Sequence, residues 1–594
     1  MKNDKCEEAG KPNLTKFIFL IYYLSHFPLF SRPKTRTMKI RLIIFLSIIS
    51  FFCATTAYSQ DAMLNPNSMD YNELDRLQIK SGRLDHIMFL DVKDVRETDA
   101  MKFLDKLDTA NTNITKADKY WIKYLRDDNL PYSHTKDTSM YPILKTFYKT
   151  PANFFEVNLP EFHLYLNPVL GLSLGKEKDS SKYRYMNTRG IEVRGDIDGK
   201  IGFYSYFSDN QDIFASYIAN YIQKTGQVPG QGYWKPYKTL TEPDYFDASG
   251  YFTFSATPHI QFQLGNGTNF IGNGYRSLLL SDFAPGYLNL KVSLQIWKLK
   301  YDCVFAQLTD VQNIPYYHYY QKKYAAFHYL STDITKWLNI GFFEAVIMDD
   351  SVPNRGFDAA YINPIIFYTY IEQMQGNPSP DKDLVGMNVN IIAAKRFRIY
   401  SQLVINEFQV HEIISSSNWW GNKYGGQIGF KYIDVLGLPN VDWQEEANYI
   451  RPYTYSGIRS EVAYNTYGQP LADPMGANLE ELVSLLRINC FGPLQVNLKY
   501  IITEQGLDTG KVDYGSNISI AYTHRTGEFG IDELQGVRTT IKFAEATVSY
   551  QLRHNLYIDI DAIMRSETSI IQNYKMSYVG VGVRLNFAMP DYSF

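Results

Sequence analysis

The 594-residue chain carries 59 Lys and Arg against 62 Asp and Glu, and it is unusually aromatic, with 48 Tyr, 36 Phe and 7 Trp. Apolar residues make up 45% of the chain and charged residues 20%. These values exclude a disordered chain, a collagen, a coiled coil and a polytopic helical membrane protein. The four cysteines are too few for a disulfide scaffold or a clustered zinc site. The composition is compatible with a large soluble β protein and with an outer-membrane barrel.

The N-terminal region predicts export. A short basic segment precedes an apolar stretch at 42–54, and small residues follow at the two positions that a signal peptidase reads. We therefore predict a signal peptide at 38–59, with cleavage between Ser59 and Gln60.

Residues 1–37 are interpreted as a mis-set start or a dispensable extension. The alternative is an anchor helix at 17–30, although that stretch is short for a helix that spans a bilayer. Without residues 1–59 the chain has 50 basic and 59 acidic residues, and it contains no basic block. This acidic balance argues against nucleic acid as a partner.

Residues 60–148 predict a small helical bundle, because apolar side chains recur at helical spacing in three short stretches. Gly82 occupies a C-cap position after the first stretch. Thr98 is the predicted N-cap of the second, and Thr115 with Asp118 predicts a capping box before the third. Short amphipathic helices cannot bury an apolar stripe alone, so we expect them to pack on each other or on the next domain.

From about Glu156 the apolar period changes to two, which predicts a β domain at 149–594. Several strands have nine or more residues, their polar faces are charged, and Tyr and Phe recur at strand ends. These features favour a large antiparallel transmembrane β-barrel over a soluble sandwich, because a wet lumen accepts charge and interfacial girdles are aromatic. At roughly 25 residues for each strand with its loop, we predict about 18 strands. The fold class is thus mainly β.

Two connections and the C-terminus give more specific expectations. Asp198 and Gly199 predict a tight hairpin turn, whereas 210–250 predicts an ordered surface loop. The last predicted strand ends at Phe587 and resembles the signal that the outer-membrane barrel assembly machinery reads. The chain nevertheless continues to Phe594.

The run FIGNGYRSLLLSD at 270–282 resembles the Wzi-like capsule assembly proteins and, among them, the group of the gliding-motility protein RemB. Weaker matching stretches are 363–368, 384–388, 451–456 and 471–478, the last with Asp473 where a His is expected. The resemblance covers nearly all of the predicted mature chain. It implies an outer-membrane barrel of about 18 strands with a periplasmic helical bundle. It also implies a non-catalytic role in holding or organising exported polysaccharide at the cell surface.

We predict no catalytic site, metal or cofactor. The segment 171–175 has the spacing of a nucleophile elbow, but a polar stretch follows it where a helix is needed. The segment 272–274 lacks the third glycine and the helix of a phosphate cradle. Asp559 and Asp561 share a strand face, but carboxylates that face the lumen are common in large barrels. The ten His residues show no ligand-like spacing.

Aromatic side chains beside amides are the candidates for sugar binding, since their faces stack on sugar rings. Trp419 and Trp420 lie near two asparagines, and Tyr317 and Tyr319 flank a histidine in an aromatic run. An aromatic girdle at the membrane interface is the alternative interpretation of both stretches. Arg276, from the run that carries the resemblance, is a fifth candidate.

Arg276 also has an alternative role as a bridge to a lumen carboxylate such as Asp282, which would stiffen the barrel wall. Cys303 and Cys490 lie 187 residues apart in the predicted mature chain. The sequence leaves open whether they pair, and both are interpreted as small hydrophobic residues.

The sequence therefore predicts a non-enzymatic outer-membrane barrel of a Gram-negative bacterium that anchors or helps assemble surface polysaccharide, with a link to gliding motility. A porin or specific transport channel is the first alternative, and an open lumen would distinguish it. A barrel hydrolase is the second alternative. The expected partners are outer-membrane lipid, surface polysaccharide, the barrel assembly machinery during biogenesis and motility-apparatus proteins. We expect the helical bundle in the periplasm and the loops at the cell surface.

Overall fold

The computed structural model describes residues 63–64, 70–109, 114–133, 146–239, 241–312, 320–349, 356–363, 367–374, 376, 379–415, 417–490, 492–510 and 512–594. The predicted extension, the signal peptide and its cleavage site at Ser59 and Gln60 lie outside these residues.

Among the described residues, three helices precede the β domain: α1 (Asp70–Ser81), α2 (Glu97–Thr109) and α3 (Lys116–Asp128). Gly82 has a φ of +73° and donates its backbone N–H to Ile79 at 2.9 Å, which confirms the predicted C-cap. The capping box of Thr115 and Asp118 is also confirmed. The N-cap prediction at Thr98 is wrong, because α2 begins one residue earlier and Thr98 lies inside its first turn.

The β domain is a closed antiparallel barrel of 18 strands, which confirms the predicted fold class. The first strand pairs with the last, so the sheet has no free edge. The strands are β1 Phe162–Glu177, β2 Tyr183–Ile197, β3 Ile201–Ile213, β4 Pro243–Thr257, β5 Ile260–Gly267, β6 Tyr287–Ile296, β7 Leu299–Asp310, β8 Gln321–Asp333, β9 Leu338–Met348, β10 Lys382–Ala393, β11 Phe397–Glu407, β12 Lys423–Tyr432, β13 Val441–Ile450, β14 Leu479–Asn489, β15 Leu494–Leu507, β16 Val537–Arg553, β17 Leu556–Ser569 and β18 Asn573–Leu585.

Smaller elements precede β1 or lie between the barrel strands. Three further helices are α4 (Ser216–Thr225), α5 (Tyr368–Met374) and α6 (Val410–Ile414). Phe155–Leu159 extends the wall beside β1, Lys235–Pro236 pairs with β4, and Asn465–Thr466 forms a small hairpin with Gln469–Pro470. Short 3₁₀ turns occur at Leu130–Tyr132, Ala359–Ile362, Val435–Gly437, Ser460–Val462 and Tyr522–His524. In the described part of the chain, no helix has the length and apolar character to cross a membrane.

Strand residues alternate between the lumen and the outer surface of the barrel. On β6, Leu288 and Leu290 are 49% and 37% exposed, whereas Asn289 and Lys291 are 3% and 6% exposed. The same pattern on most other strands leaves a band of exposed Leu, Ile, Val and Phe on the outer surface. Parts of β8 and β9 are instead buried on both faces, where Ala326, Val346 and Met348 pack against Tyr361 and α5. An exposed apolar band of that extent fits contact with lipid.

The two ends of the barrel differ in the length of their connections. At the short-turn end, β2 and β3 are joined through Asp198 and Gly199, both with positive φ, which confirms the predicted hairpin turn. At the long-loop end, the connections include 214–242, 268–286, 451–478 and 508–536. The first strand begins and the last strand ends at the short-turn end.

Several strand boundaries differ from the prediction, and β18 ends at Leu585 rather than at Phe587. The predicted loop at 210–250 is shorter, since β3 continues to Ile213 and β4 begins at Pro243. The polar residues that suggested a loop, such as Asn210, instead face the lumen and are buried there. Trp297 lies in the turn between β6 and β7 with a φ of +56°.

The three N-terminal helices pack on each other and cover the short-turn end. Their shared core is apolar and includes Leu74, Leu77, Met101, Leu104 and Leu125. The helical segment contacts successive turns of the barrel: the backbone N–H of Leu84 donates to Lys336 at 2.7 Å, and Asp128 lies 2.9 Å from the His554 ring.

Candidate functional site

Two connections from the long-loop end, 268–286 and 451–478, fold into the lumen and fill part of it. Leu278, Leu279 and Leu280 are fully buried in a core formed with side chains of the barrel wall. Two buried tyrosines of the second connection hold this core. The hydroxyl of Tyr455 donates to the Leu278 carbonyl and that of Tyr464 to the Leu279 carbonyl, both at 2.7 Å.

The glycines of the run 270–282 allow the chain to pass close to the barrel wall. A side chain at Gly272, where φ is +146°, would collide with Gln402, and one at Gly274 would collide with Glu446. These wall residues bind the loop backbone in return. Gln402 accepts from the N–H of Leu278 at 2.8 Å, and Glu446 accepts from the N–H groups of Tyr275 and Arg276 at 2.7 and 3.0 Å.

The same run meets the N-terminal segment inside the barrel. Ile271 forms a β-bridge with Val92, and the backbone N–H of Gly272 donates to the Asp91 carbonyl at 2.8 Å. The Asp91 carboxylate accepts from Tyr329 and Ser331 on β8, both at 2.7 Å. Segments from both ends of the barrel therefore join within the lumen.

Arg276 is buried in the lumen and clamps this loop to β14. Its Nε and Nη2 lie 3.2 and 3.1 Å from the two carboxylate oxygens of Glu481, and its guanidinium stacks on the Tyr275 ring at 5.2 Å. The predicted bridge from Arg276 to a lumen carboxylate is therefore confirmed, with Glu481 as the partner. The example named for it, Asp282, is wrong, because Asp282 faces the N-terminal segment and pairs with Lys93 at 2.8 Å.

Asp473, where the resemblance leads one to expect a His, is buried beside this clamp. Burial and the nearby Glu481 raise the pKa of Asp473 to about 7, against the opposing effect of Arg276. One carboxylate oxygen accepts from the backbone N–H of Met475 at 2.9 Å. The site is thus a compact charge cluster that fixes one inward connection against the other.

Trp420 joins three long connections at the long-loop end. Its Nε1 donates to Glu528 at 2.7 Å. The Arg525 guanidinium and the Lys423 ammonium group lie over its ring, 4.1 and 4.7 Å from the ring centroid. Trp420 is 8% exposed, whereas Trp419 is half-buried at the rim. Tyr453, Tyr522 and Ile531 also belong to the Trp420 cluster, and the Trp419 ring packs edge-on against Trp420 from the rim, with the ring centroids 6.0 Å apart.

The five candidate residues do not come together in one site. Tyr317 and Tyr319 lie outside the described residues. Arg276 is in the lumen, while Trp419 and Trp420 are at the long-loop end. Sugar binding by any of them stays a prediction.

The sequence did not predict where the C-terminus lies. Residues 586–594, here called the C-terminal strap, follow β18 and run through the lumen from the short-turn end towards α4. The Phe587 ring covers Gly171 on β1, Tyr592 packs edge-on against Phe214 with ring centroids 5.4 Å apart, and Phe594 reaches α4. The only sequence signal was the extension of the chain beyond Phe587.

Two cavities remain in the lumen, of about 530 and 560 Å³, and the strap separates them. Both are lined by 586–592, and both reach the helical segment at Asp75 and Asn72. One lies mainly towards β14–β18 and the other towards β4–β6, and Arg487 lines both.

The other motifs have structural roles. The segment 171–175 lies within β1, so no nucleophile elbow forms. Asp559 pairs with Arg584 at 2.8 Å in the lumen. Cys303 is buried on β7 and Cys490 is exposed in a turn, and both are free thiols. No cluster of three or more His, Cys, Asp or Glu side chains with the geometry of a metal site occurs among the described residues.

Comparison with known proteins supports the fold. Wzi of Escherichia coli, an outer membrane protein involved in group 1 capsule assembly and named as a carbohydrate-binding β-barrel, matches with a TM-score of 0.55 and 10% identity over 89% of this chain and 100% of that chain. Matches with lower TM-scores include the outer membrane protein OprD of Pseudomonas aeruginosa (0.41, 11% identity, 73% of this chain and 96% of that chain) and OccAB2 of Acinetobacter baumannii (0.40, 8%, 71% and 97%).

No family model matches the sequence, and no curated protein matches it significantly. At 10% identity, the likeness to Wzi is one of fold. The chain therefore has the fold of an outer-membrane β-barrel with 18 antiparallel strands and a helical N-terminal region.

Proposed function

We propose that the protein is a non-enzymatic outer-membrane barrel that anchors or helps assemble surface polysaccharide. The observation that carries the proposal is the filled lumen. The helical segment covers one end, and the connections 268–286 and 451–478 occupy the interior with fully buried side chains such as Leu279 and Tyr464. A diffusion porin needs a continuous water-filled lumen, which this packing opposes.

The likeness of fold to Wzi, which is named for carbohydrate binding and capsule assembly, supports the choice of polysaccharide. The resemblance of the run 270–282 supports it from the sequence. A link to gliding motility, with motility-apparatus proteins as partners, belongs to the same proposal through the RemB group.

We propose that the long-loop end faces the outside of the cell and the helical segment faces the periplasm. Bacterial barrels have short periplasmic turns and longer extracellular loops. In this orientation Tyr233 and Tyr237, which are 68% and 49% exposed on the connection 214–242, offer aromatic faces to sugar rings, as does Trp419 at the rim.

A deletion strain tests the role. Loss of the protein should release polysaccharide into the medium while the total amount secreted stays the same. A Tyr233→Ala/Tyr237→Ala variant should restore retention only in part, whereas Tyr550→Ala, an exposed tyrosine on the outer surface of β16, should restore it fully. Unchanged retention in the deletion strain would refute the role.

Planar-bilayer conductance of the purified protein tests the porin alternative. We expect no large, steady openings, because the lumen is occupied. Stable openings of porin size would overturn the anchoring proposal and favour transport.

A further inference from the structure

One connection of the long-loop end folds back over the outer surface of the barrel wall. It lies between β9 and β10 and includes α5, and its described parts, 356–363 and 367–374, are here called the outer cover. Tyr361 and Tyr368 of the cover are fully buried, and they pack in one apolar cluster with Ala326 of β8. The cover is therefore held to the wall by its own side chains.

The wall residues beneath the cover face away from the lumen. Ala326 and Val346 are paired on β8 and β9 and are both fully buried. They alternate along their strands with Phe327 and Ala345, which belong to the core inside the barrel. Because successive side chains of a strand point to opposite faces, the cover lies on the side of the wall where lipid is expected.

The cover occupies positions that are exposed on neighbouring parts of the barrel. Ala326 is paired with Phe305 on β7, which is paired with Leu290 on β6, and Leu290 is exposed in the apolar band. In the next outward-facing row towards the short-turn end, Leu330 and Phe342 are paired and are 36% and 54% exposed. The cover is thus continuous with the apolar band on two sides.

The wall beneath the cover carries polar side chains that hydrocarbon could not satisfy. Glu344 on β9 is 7% exposed and accepts from the backbone N–H of Tyr368 at 2.7 Å. His328, paired with Glu344 and 6% exposed, lies with its ring centroid 4.3 Å from that of Tyr368. Thr369 donates to Asp383 on β10 at 2.6 Å. Lifting the cover away would leave these groups facing lipid, which is unfavourable, so the cover belongs on the wall.

The face that the cover turns away from the wall is mostly apolar and uncharged. Its exposed residues, among those described, are Ala359, Ala360, Ile362, Asn363, Phe367, Tyr370, Gln373 and Met374. Phe367 and Met374 are 74% and 73% exposed. The charged residues of the cover, Asp358 and Glu372, are half-buried. Large apolar side chains without exposed charge, on the outer wall of a barrel, fit hydrocarbon and its interface rather than water.

We propose that the outer cover is a lipid-binding surface, with Phe367, Tyr370 and Met374 in contact with the acyl chains of the membrane. The lipid-facing perimeter at β7–β9 is then built by a connection and not by the strands beneath it. In the orientation proposed above, the leaflet is the outer one. The inference does not depend on polysaccharide binding.

Spin labels on the cover test this environment. Phe367→Cys, Tyr370→Cys and Met374→Cys are each made in a Cys490→Ser background, because Cys490 is exposed whereas Cys303 is buried. The background protein without an added cysteine should take up no label. The change in gel mobility on heating that intact barrels show checks that each variant is folded.

The labelled proteins are purified and reconstituted in phospholipid vesicles, and collisions of each label with oxygen are compared with collisions with a polar nickel chelate. Phe342→Cys is the lipid reference, and Tyr233→Cys, from an equally exposed tyrosine on 214–242, is the aqueous reference. The ratio of oxygen to nickel collisions at the three cover positions should match that of Phe342→Cys. It should be about tenfold higher than that of Tyr233→Cys, because hydrocarbon excludes a polar chelate.

Two results would overturn the inference. Cover positions with the ratio of Tyr233→Cys would show that this face meets water. Exclusion of both reagents, with spin–spin broadening that grows with the density of labelled protein in the vesicles, would show that a second copy of the chain covers it. Either result leaves the proposed polysaccharide role untouched, since capsule retention in the deletion strain reports on that role separately.

Discussion

Arg76 on α1 is expected to be the residue on which attachment of the helical segment to the barrel most depends. Its side chain is 4% exposed and pairs with three carboxylates: Asp118 on α3 at 3.0 Å, Asp434 at 2.6 Å, and Asp442. The last two belong to the turn between β12 and β13 and its border. One guanidinium thus joins two helices to the short-turn end.

Arg76→Met should weaken this attachment strongly. Lys80 would still bind Asp118 and lie 3.2 Å from Asp434, but Asp442 has no second cation within 4.0 Å in the part of the chain that the structure describes. Removing one partner of a buried ion pair costs about 3–5 kcal/mol, because a buried charge is left without compensation. We expect a loss of that size in the free energy that holds the helical segment in place.

Arg76→Met should also change the pH dependence of the attachment of the helical segment. Burial would raise the pKa of Asp118, but Arg76 and Lys80 lower it below its usual value. The stabilising contribution of Asp118 is therefore present above its pKa in the unfolded chain, about 4, and is lost as the pH falls through its pKa in the folded protein. In Arg76→Met the pKa of Asp118 rises, so the helical segment should lose less stability between pH 5 and pH 3 than it does in the wild type.

The assay is trypsin cleavage within 70–133 of the purified, detergent-solubilised protein over a urea series. Arg83→Gln is the matched control, since Arg83 is exposed on the same segment. Arg76→Met should be cleaved at clearly lower urea than Arg83→Gln, with the barrel intact. Equal urea midpoints for the two variants would refute the reasoning that Arg76 is the main attachment.

Three further predictions concern the lumen, the rim and the orientation. Because burial raises the pKa of Asp473 to about 7, its favourable contribution to stability is complete below about pH 4 and is lost as the pH rises towards 7. Asp473→Asn should therefore increase the free energy of unfolding at pH 8, by at most about 4 kcal/mol, and so raise the thermal midpoint there but not at pH 4. Trp420→Ala should lower the free energy of unfolding by about 3–5 kcal/mol and expose the long connections to protease. Trp419→Ala should leave protease resistance unchanged. Greater protease sensitivity in Trp419→Ala than in Trp420→Ala would contradict the conclusion that Trp420 holds these connections together. Protease added to intact cells should trim 214–242 and leave 70–133 uncut, and cleavage within 70–133 would reverse the proposed orientation.

Much of the fold followed from local rules. Alternation of apolar and polar residues along strands such as β6 determines which side chains face lipid, and the length of the alternating region set the strand number near 18. Thr115 with Asp118 and the pair Asp198 and Gly199 act within a few residues of themselves, so their capping box and hairpin turn could be predicted. These features need no knowledge of distant contacts.

The contents of the lumen depended on the tertiary structure. Alternation predicts that Glu481 faces the lumen. It does not predict that Arg276, 205 residues earlier, pairs with Glu481 and not with Asp282. Polar residues such as Asn210 resemble a loop in the sequence because a wet lumen and a solvent-exposed loop favour the same side chains.

By itself, the sequence determined the class of barrel, its helical N-terminal region and its short turns, since each rests on periodicity or on contacts between near neighbours. Only the tertiary structure decided that 268–286 enters the lumen, that Trp420 is buried between connections, and that the last residues lie inside the barrel. The physical reason is that closing a sheet of 18 strands brings together side chains hundreds of residues apart. Their pairing is set by the shape and charge of the enclosed space, which no local pattern encodes.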